Sequence, residues 1–199
     1  MVPDIRLTEV SREDIQRMAH WLEDPEVMAL WYGADENGDP LHIGYSPKAI
    51  LRASDEEWKQ TFDDEVRKIF SIYDAHEGHI GEAQMVIEPP LHEAQVFVII
   101  GRKDLWLHHY GSAAMFQLLD IAFSTYKLHR AWVDVPDYNI HALHMCERLG
   151  FLLEGHLRST HPKDGKWYDS LIMGLLEREF SRRRPKLIEQ AHTPPAQNI

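Results

Sequence analysis

The chain has 199 residues, a formal net charge of −11, 44% apolar residues and 27% charged residues. This is the make-up of an ordinary globular protein with enough chain to bury a core. It carries no apolar run near the ~20 residues of a membrane-spanning helix, and its charge speaks against nucleic acid as a partner. The single cysteine, Cys146, excludes an internal disulfide, and the first residues show no charged-then-apolar signal region, so the expected compartment is the cytoplasm. The 13 histidines are scattered without metal-site spacing, so no metal is expected.

The charge is uneven along the chain. Residues 1–65 hold 16 Asp and Glu against 6 Lys and Arg, and the remainder holds 16 against 15. Such an acidic third is either a solvated face that keeps the protein soluble or a mouth that gathers a cationic amine.

Ile5, Leu7 and Val10 flank a short first strand. Ser11 is an N-cap with Asp14 in the capping-box position, and Ile15, Met18, Ala19 and Leu22 follow at helical spacing. Pro25 ends that helix. Residues 26–32 form a second short helix, and 34–45, rich in Gly, Asp and Pro, read as a loop. Ser46-Pro47 opens a helix expected to run to about Phe62, with Ile50, Leu51 and Trp58 inward.

From Val66 the pattern turns to strands. Residues 67–75 and 79–88 form a hairpin across Glu77-Gly78, closed by Pro89-Pro90. The continuous apolar run 96–100 reads as a central strand covered on both faces. A loop from Gly101 leads to a helix over 113–126, with Met115, Leu118, Leu119, Ala122 and Phe123 on one side. A strand over 130–135 follows, then a helix over 139–149 capped by Gly150. Residues 151–160 and 167–175 make a closing hairpin across Pro162-Lys163-Asp164-Gly165. Beyond Phe180 the chain has little to bury, so residues 1–180 read as one domain and 181–199 as a disordered tail.

The loop is the chemical focus. A loop that ends at a helix start offers free backbone N–H groups and the positive end of the helix dipole, a ready site for phosphate.

The segment from Ile100 to Gly111, then Asn139 to Phe151, then Asp164-Gly165-Lys166-Trp167-Tyr168-Asp169, resembles the GNAT superfamily of N-acetyltransferases. Its nearest likeness is to the branch of ribosomal-protein N-terminal and spermidine acetyltransferases, a branch that Trp21-Leu22-Glu23-Asp24-Pro25-Glu26-Val27 also matches. The resemblance covers about residues 4–180. It implies an α+β (α/β) fold: a curved, mixed, mostly antiparallel sheet with helices on both faces and a splayed central strand pair. It further implies acetyl-CoA as acetyl donor, lying along Val98, Ile99 and Ile100, with its pyrophosphate on Trp106, Leu107, His108, His109, Tyr110, Gly111 and Ser112, and with Asn139 near the pantetheine. The implied reaction is transfer to a primary amine of a polyamine, amino sugar or protein N-terminus, the acceptor entering beside the acidic third. Relatives often pair, so a homodimer is a further expectation.

Three positions depart from the family pattern. His109 stands where the loop usually has its first glycine, a residue that permits positive φ and close approach to phosphate. Cys146 stands where relatives carry a tyrosine that protonates the departing thiolate. Its thiol is then the acid, or simply a buried apolar group. Gln95 replaces a frequent Glu and cannot be a base, which leaves Glu82, Glu88, Asp134, His144 or water as candidates. These departures also motivate an alternative, a catalytically degenerate protein of this fold that binds CoA or serves as a scaffold.

Overall fold

The computed structural model describes residues 3–30 and 43–192. The element order is β1 (Ile5–Thr8), α1 (Arg12–Trp21), α2 (Pro25–Leu30), α3 (Pro47–Ile50), α4 (Asp55–Phe62), β2 (Arg67–Asp74), β3 (Gly78–Glu88), β4 (Glu93–Ile100), α5 (Tyr110–Asp120), β5 (Arg130–Pro136), α6 (Ile140–Leu149), β6 (Leu152–Lys163), β7 (Lys166–Leu176) and α7 (Glu177–His192). The seven strands form one sheet in the order β1-β2-β3-β4-β5-β7-β6. Every pairing is antiparallel except β4 with β5. This is the mixed α+β architecture expected from the sequence. The loop expected at 34–45 lies mostly outside the described residues.

Local rules set most boundaries. Ser11 accepts from the Asp14 N–H at 3.2 Å and Asp14 accepts from the Ser11 N–H at 3.0 Å, the reciprocal box that starts α1. Gly150 ends α6 at φ 107°, where its N–H reaches the carbonyls of Cys146 and Glu147. Asp164 and Gly165, at φ 51° and 70°, make the two-residue turn between β6 and β7.

Two expectations fail. The helix opened by Ser46-Pro47 stops at Ile50, because Ser54 adopts an extended conformation and caps a new helix through Glu57. A capping box satisfies two orphan amides at a helix start, which favours a fresh beginning over continuation. Residues 181–192, read as tail, continue a helix. The tail reading overlooked two anchors. Phe180 is buried against Phe116 and Phe123, at ring separations of 5.6 and 5.3 Å, and Arg184 grips Asp120 with two bonds of 2.6 and 3.0 Å. Leu187 adds apolar contact to the main core.

The two sheet faces carry different cores. On one side α5, α6 and α7 cover Val96, Val133, Val135 and Leu175. On the other, Met18 of α1, Leu22 at its C-terminal cap and Val27 of α2 cover Phe97 and Ile99 of β4, with Ile43. The Trp21 indole packs against Gly101, where a Cβ would come within 2.1 Å of it. That contact fixes the end of β4 against α1.

The anchoring of α7 gives the first prediction. Phe180→Ala removes a fully buried aromatic ring and is expected to lower unfolding free energy by about 3–5 kcal/mol, read from urea denaturation. A protein that tolerates this change without loss has a detachable terminal helix.

Candidate active site

The site begins where two neighbouring strands part. β4 and β5 pair only over Glu93 with Arg130, Ala94 with Ala131 and Gln95 with Trp132. Beyond that, β4 stays on β3 as far as Ile100 and β5 stays on β7 as far as Pro136. One edge of β4 from Val96 onward therefore faces a cleft. The Gly101 N–H donates to the Ile80 carbonyl across β3 at 2.9 Å. Antiparallel alternation then turns the backbone groups of Ile99 and Phe97 toward β3 and those of Ile100, Val98 and Val96 toward the cleft.

This divides the strand residues expected to touch a cofactor. Val98 and Ile100 present backbone to the open edge, although the Ile100 carbonyl already accepts from the Trp106 indole at 2.7 Å. Ile99 presents its backbone to β3 and its side chain to α1 and α2.

The loop after β4 is anchored on both sides of the sheet. Leu105 is buried in the main core and Trp106 packs with the cluster under α1 and α2. Arg102 pairs with Glu77 at 2.9 Å and also with Asp104, and Lys103 pairs with Asp24 at 3.0 Å and with Glu26. These ion pairs are partly exposed, so each contributes little alone. Together they order the strand end beside a concavity of about 540 Å³ lined by Trp21, Asp24, Gly101 and Arg102.

At the loop's end the backbone changes hand twice. Leu107 has φ 65° and His109 φ 68°, with His108 between them. Such alternation is the backbone pattern of anion-binding nests. His109 is the N-cap of α5 with no side-chain cap bond. Among the described residues the N–H groups of Tyr110, Gly111 and Ser112 have no protein acceptor, and the first helical bond in this turn is from Ala113 to the His109 carbonyl at 3.0 Å. His109 thus takes the backbone conformation that glycine would take most easily, with its side chain exposed. Histidine is among the residues that tolerate this region better than most.

Asn139 caps α6 by accepting from the Ala142 N–H at 3.2 Å. Cys146, two turns along, is 1% exposed within the main core, and burial pushes its thiol up to about 12. Glu88 and His144 are exposed. Asp134, on β5, has its carboxylate 3.3 Å from the His161 ring nitrogen.

Sequence reasoning named Glu82 without placing it and left Tyr45 inside a loop. Glu82 is fully buried in β3 and accepts from the Tyr45 hydroxyl at 2.5 Å and from the Gln84 amide at 2.6 Å. Burial raises its carboxyl to about 7 despite the opposing effects of Tyr45, Gln84 and Arg67. The signal in the sequence was a carboxylate and an amide in the midst of the apolar strand 80–87.

A family model described as Acetyltransferase (GNAT) domain matches residues 4–152. The spermidine N(1)-acetyltransferase of Vibrio cholerae serotype O1 is 22% identical over 183 residues, which cover 92% of this chain and 99% of that protein. The crystal structure of spermidine N-acetyltransferase from Vibrio cholerae in complex with CoA and spermine has a TM-score of 0.75 at 21% identity, covering 89% of this chain and 98% of that one. A chimera of the Vibrio cholerae enzyme and hSSAT gives 0.74 at 20% identity, covering 90% and 99%. At these identities the solved structures establish a shared fold.

The loop conformation generates a prediction. His109→Val places a β-branched residue at positive φ and is expected to cost about 1–3 kcal/mol, whereas His109→Gly keeps the wild-type melting temperature within a few degrees. Equal melting of both variants would show that the loop does not depend on this backbone conformation.

Proposed function

The chain belongs to the GNAT acetyltransferase family, and on that premise we propose that it moves the acetyl group of acetyl-CoA onto a primary amine by direct attack in a ternary complex. What supports this reading is one juxtaposition. The open edge of β4 runs toward a helix start whose first three amides lack protein partners among the described residues. An open strand edge suits an amide-bearing pantetheine arm, and a helix N-terminus suits a pyrophosphate.

When bound, acetyl-CoA supplies an activated thioester. Tyr110, Gly111 and Ser112 would hold the pyrophosphate through backbone N–H groups, with Leu107, His108 and His109 shaping the nest and Trp106 bracing it. Val98 would direct its N–H at the acetyl carbonyl, where developing negative charge would strengthen the hydrogen bond. Ile100 would line the pantetheine arm, Ile99 contributes a side chain to the opposite face, and Asn139 would lie near the pantetheine. Much of the rate comes from holding amine and thioester together.

Cys146 has no part as an acid in this scheme. A thiol near 12 would have to give its proton to a thiolate whose ordinary pKa is ~8.5, uphill by roughly a thousandfold. The departing sulfur takes the proton that the amine nitrogen gives up, passed on through water, and Cys146 packs the core. Cys146→Ala is therefore expected to keep kcat near wild type, while a fall of about 100-fold would restore the acid role.

The acceptor is proposed to be a polyamine, with amino sugars and protein N-termini as the other amines to compare. The net charge of −11 favours a multiply charged cation over a neutral or acidic acceptor. The acidic residues Asp35, Glu36 and Asp39 lie outside the described residues. The test is acetyl-CoA consumption over these amines at rising ionic strength. Turnover of spermidine should fall with added salt more steeply than that of a monoamine. Tight CoA binding in calorimetry without turnover of any amine would instead support a degenerate CoA-binding protein. Pairing of two copies is proposed through edge strand β6, where Leu152, Leu153 and Leu157 are exposed, and light scattering decides it.

A further inference from the structure

We infer that Glu82, held by Tyr45 and Gln84, is the group that takes a proton from the incoming ammonium so that the amine can attack; the inference rests on the acetyl-transfer reading above. Glu82 pairs in register with Ile99 of β4. Directly opposed residues project to the same face of a sheet, and Ile99 lies under α1 and α2. The carboxylate therefore points to the side from which the acceptor enters. It stands one strand away, roughly 5 Å, from the strand whose other edge lines the cleft. A separation of this size calls for a proton relayed through bridging water, not passed directly.

On β4 itself the one carboxylate, Glu93, lies at the strand's start and is paired with Arg130 at 2.6 Å. Phe97 and Ile99 bring hydrocarbon to this face, and Gln95 cannot accept a proton. Of the remaining candidates, Glu88 sits exposed at the far end of β3 beside Glu93, and His144 is exposed on α6. Asp134 lies across the cleft with His161 as a partner.

The surroundings of Glu82 suit a proton acceptor. Both of its hydrogen-bond donors among the described residues are neutral. The charged and titratable groups that face it are Arg67 from β2, Asp14 from α1 and Tyr45 ahead of α3. Arg67 spends one guanidinium nitrogen on the Gln84 oxygen at 2.8 Å, so it reaches Glu82 through Gln84. Asp14 is engaged by Ser71 and Tyr73. The result is a buried carboxylate whose carboxyl is raised to about 7, where a general base works best near neutral pH. A purely structural strut of the same burial would be better served by a bonded cation or a neutral amide.

The balance is simple. Glu82 takes one proton from R–NH3+, the nitrogen–carbon bond forms and the carbon–sulfur bond breaks. The proton that the nitrogen loses on becoming an amide neutralises the departing sulfur, and Glu82 returns its own to water before the next turnover.

The experiment compares wild type with Glu82→Gln and Tyr45→Phe. In wild type the pH profile of kcat/KM should bend near 7, below the bend set by the amine itself. Glu82→Gln should lose about 100-fold in kcat/KM and the bend near 7, with melting temperature and CoA affinity kept. Tyr45→Phe removes a donor that favours the charged carboxylate and should move the bend to higher pH. Infrared titration of the free protein should show a protonated carboxyl band that disappears near pH 7 and is missing in Glu82→Gln. Activity within threefold of wild type in Glu82→Gln, or a bend and a band that persist in it, overturns the inference while leaving acetyl transfer intact. Wild type that acetylates no amine overturns the acetyl-transfer reading, and this inference with it.

Discussion

The structure depends on an unequal contest for backbone hydrogen bonds between β4 and its two neighbours. β4 pairs with β3 over eight residues but with β5 over only three. A parallel pair is slightly weaker per residue than an antiparallel one, and each strand has a longer antiparallel commitment elsewhere. The sheet therefore opens at its one parallel junction. Opening leaves backbone groups of β4 facing a gap, a state that costs free energy unless something polar fills it. A cleft that exposes main chain in the middle of a sheet is by its nature a place for a ligand with amides of its own.

The same sheet handles two buried carboxylates in opposite ways. Asp14 lies in the first turn of α1 facing the sheet, where burial alone would raise its carboxyl. Bonds from Tyr73, Ser11 and Ser71 outweigh burial and hold it well below the usual carboxylate range. It stays charged and fastens the first helix to β2. Glu82 receives two neutral donors where Asp14 receives four, the Arg17 guanidinium among them, so burial wins and its carboxyl rises to about 7. The number of donors aimed at each oxygen decides which carboxylate is a fastening and which can exchange a proton near neutrality.

The turn from β4 into α5 shows how backbone geometry can outlast a change of residue. A glycine would reach φ 68° at little cost, yet His109 reaches it too, with its carbonyl accepting from Ala113 and its side chain in solvent. The anchors lie elsewhere, in Leu105 below and Trp106 above the strand end. With both sides held, the intervening residues take the one path that joins the strand to the helix, and modest local strain is tolerated.

Much of this was legible in the residue order. Apolar periodicity gave the strands and the helices α5 and α6, and Ser11, Asn139 and Gly150 marked helix ends because capping is a local, short-range interaction. The free amides at the start of α5 were foreseeable for the same reason. The break after Ile50 was misread because two capping signals lay within one helical pattern, and α7 was misread because its anchors, Phe180 and Arg184, act through Phe116, Phe123 and Asp120 far away in sequence. Only the tertiary structure separated Val98, facing the cleft, from Ile99, facing β3, since register is a property of a strand pair. Only it enclosed Cys146 and brought Tyr45 onto Glu82, because desolvation and hydrogen bonding across 37 residues are set by what packs around a group and not by its neighbours in the chain.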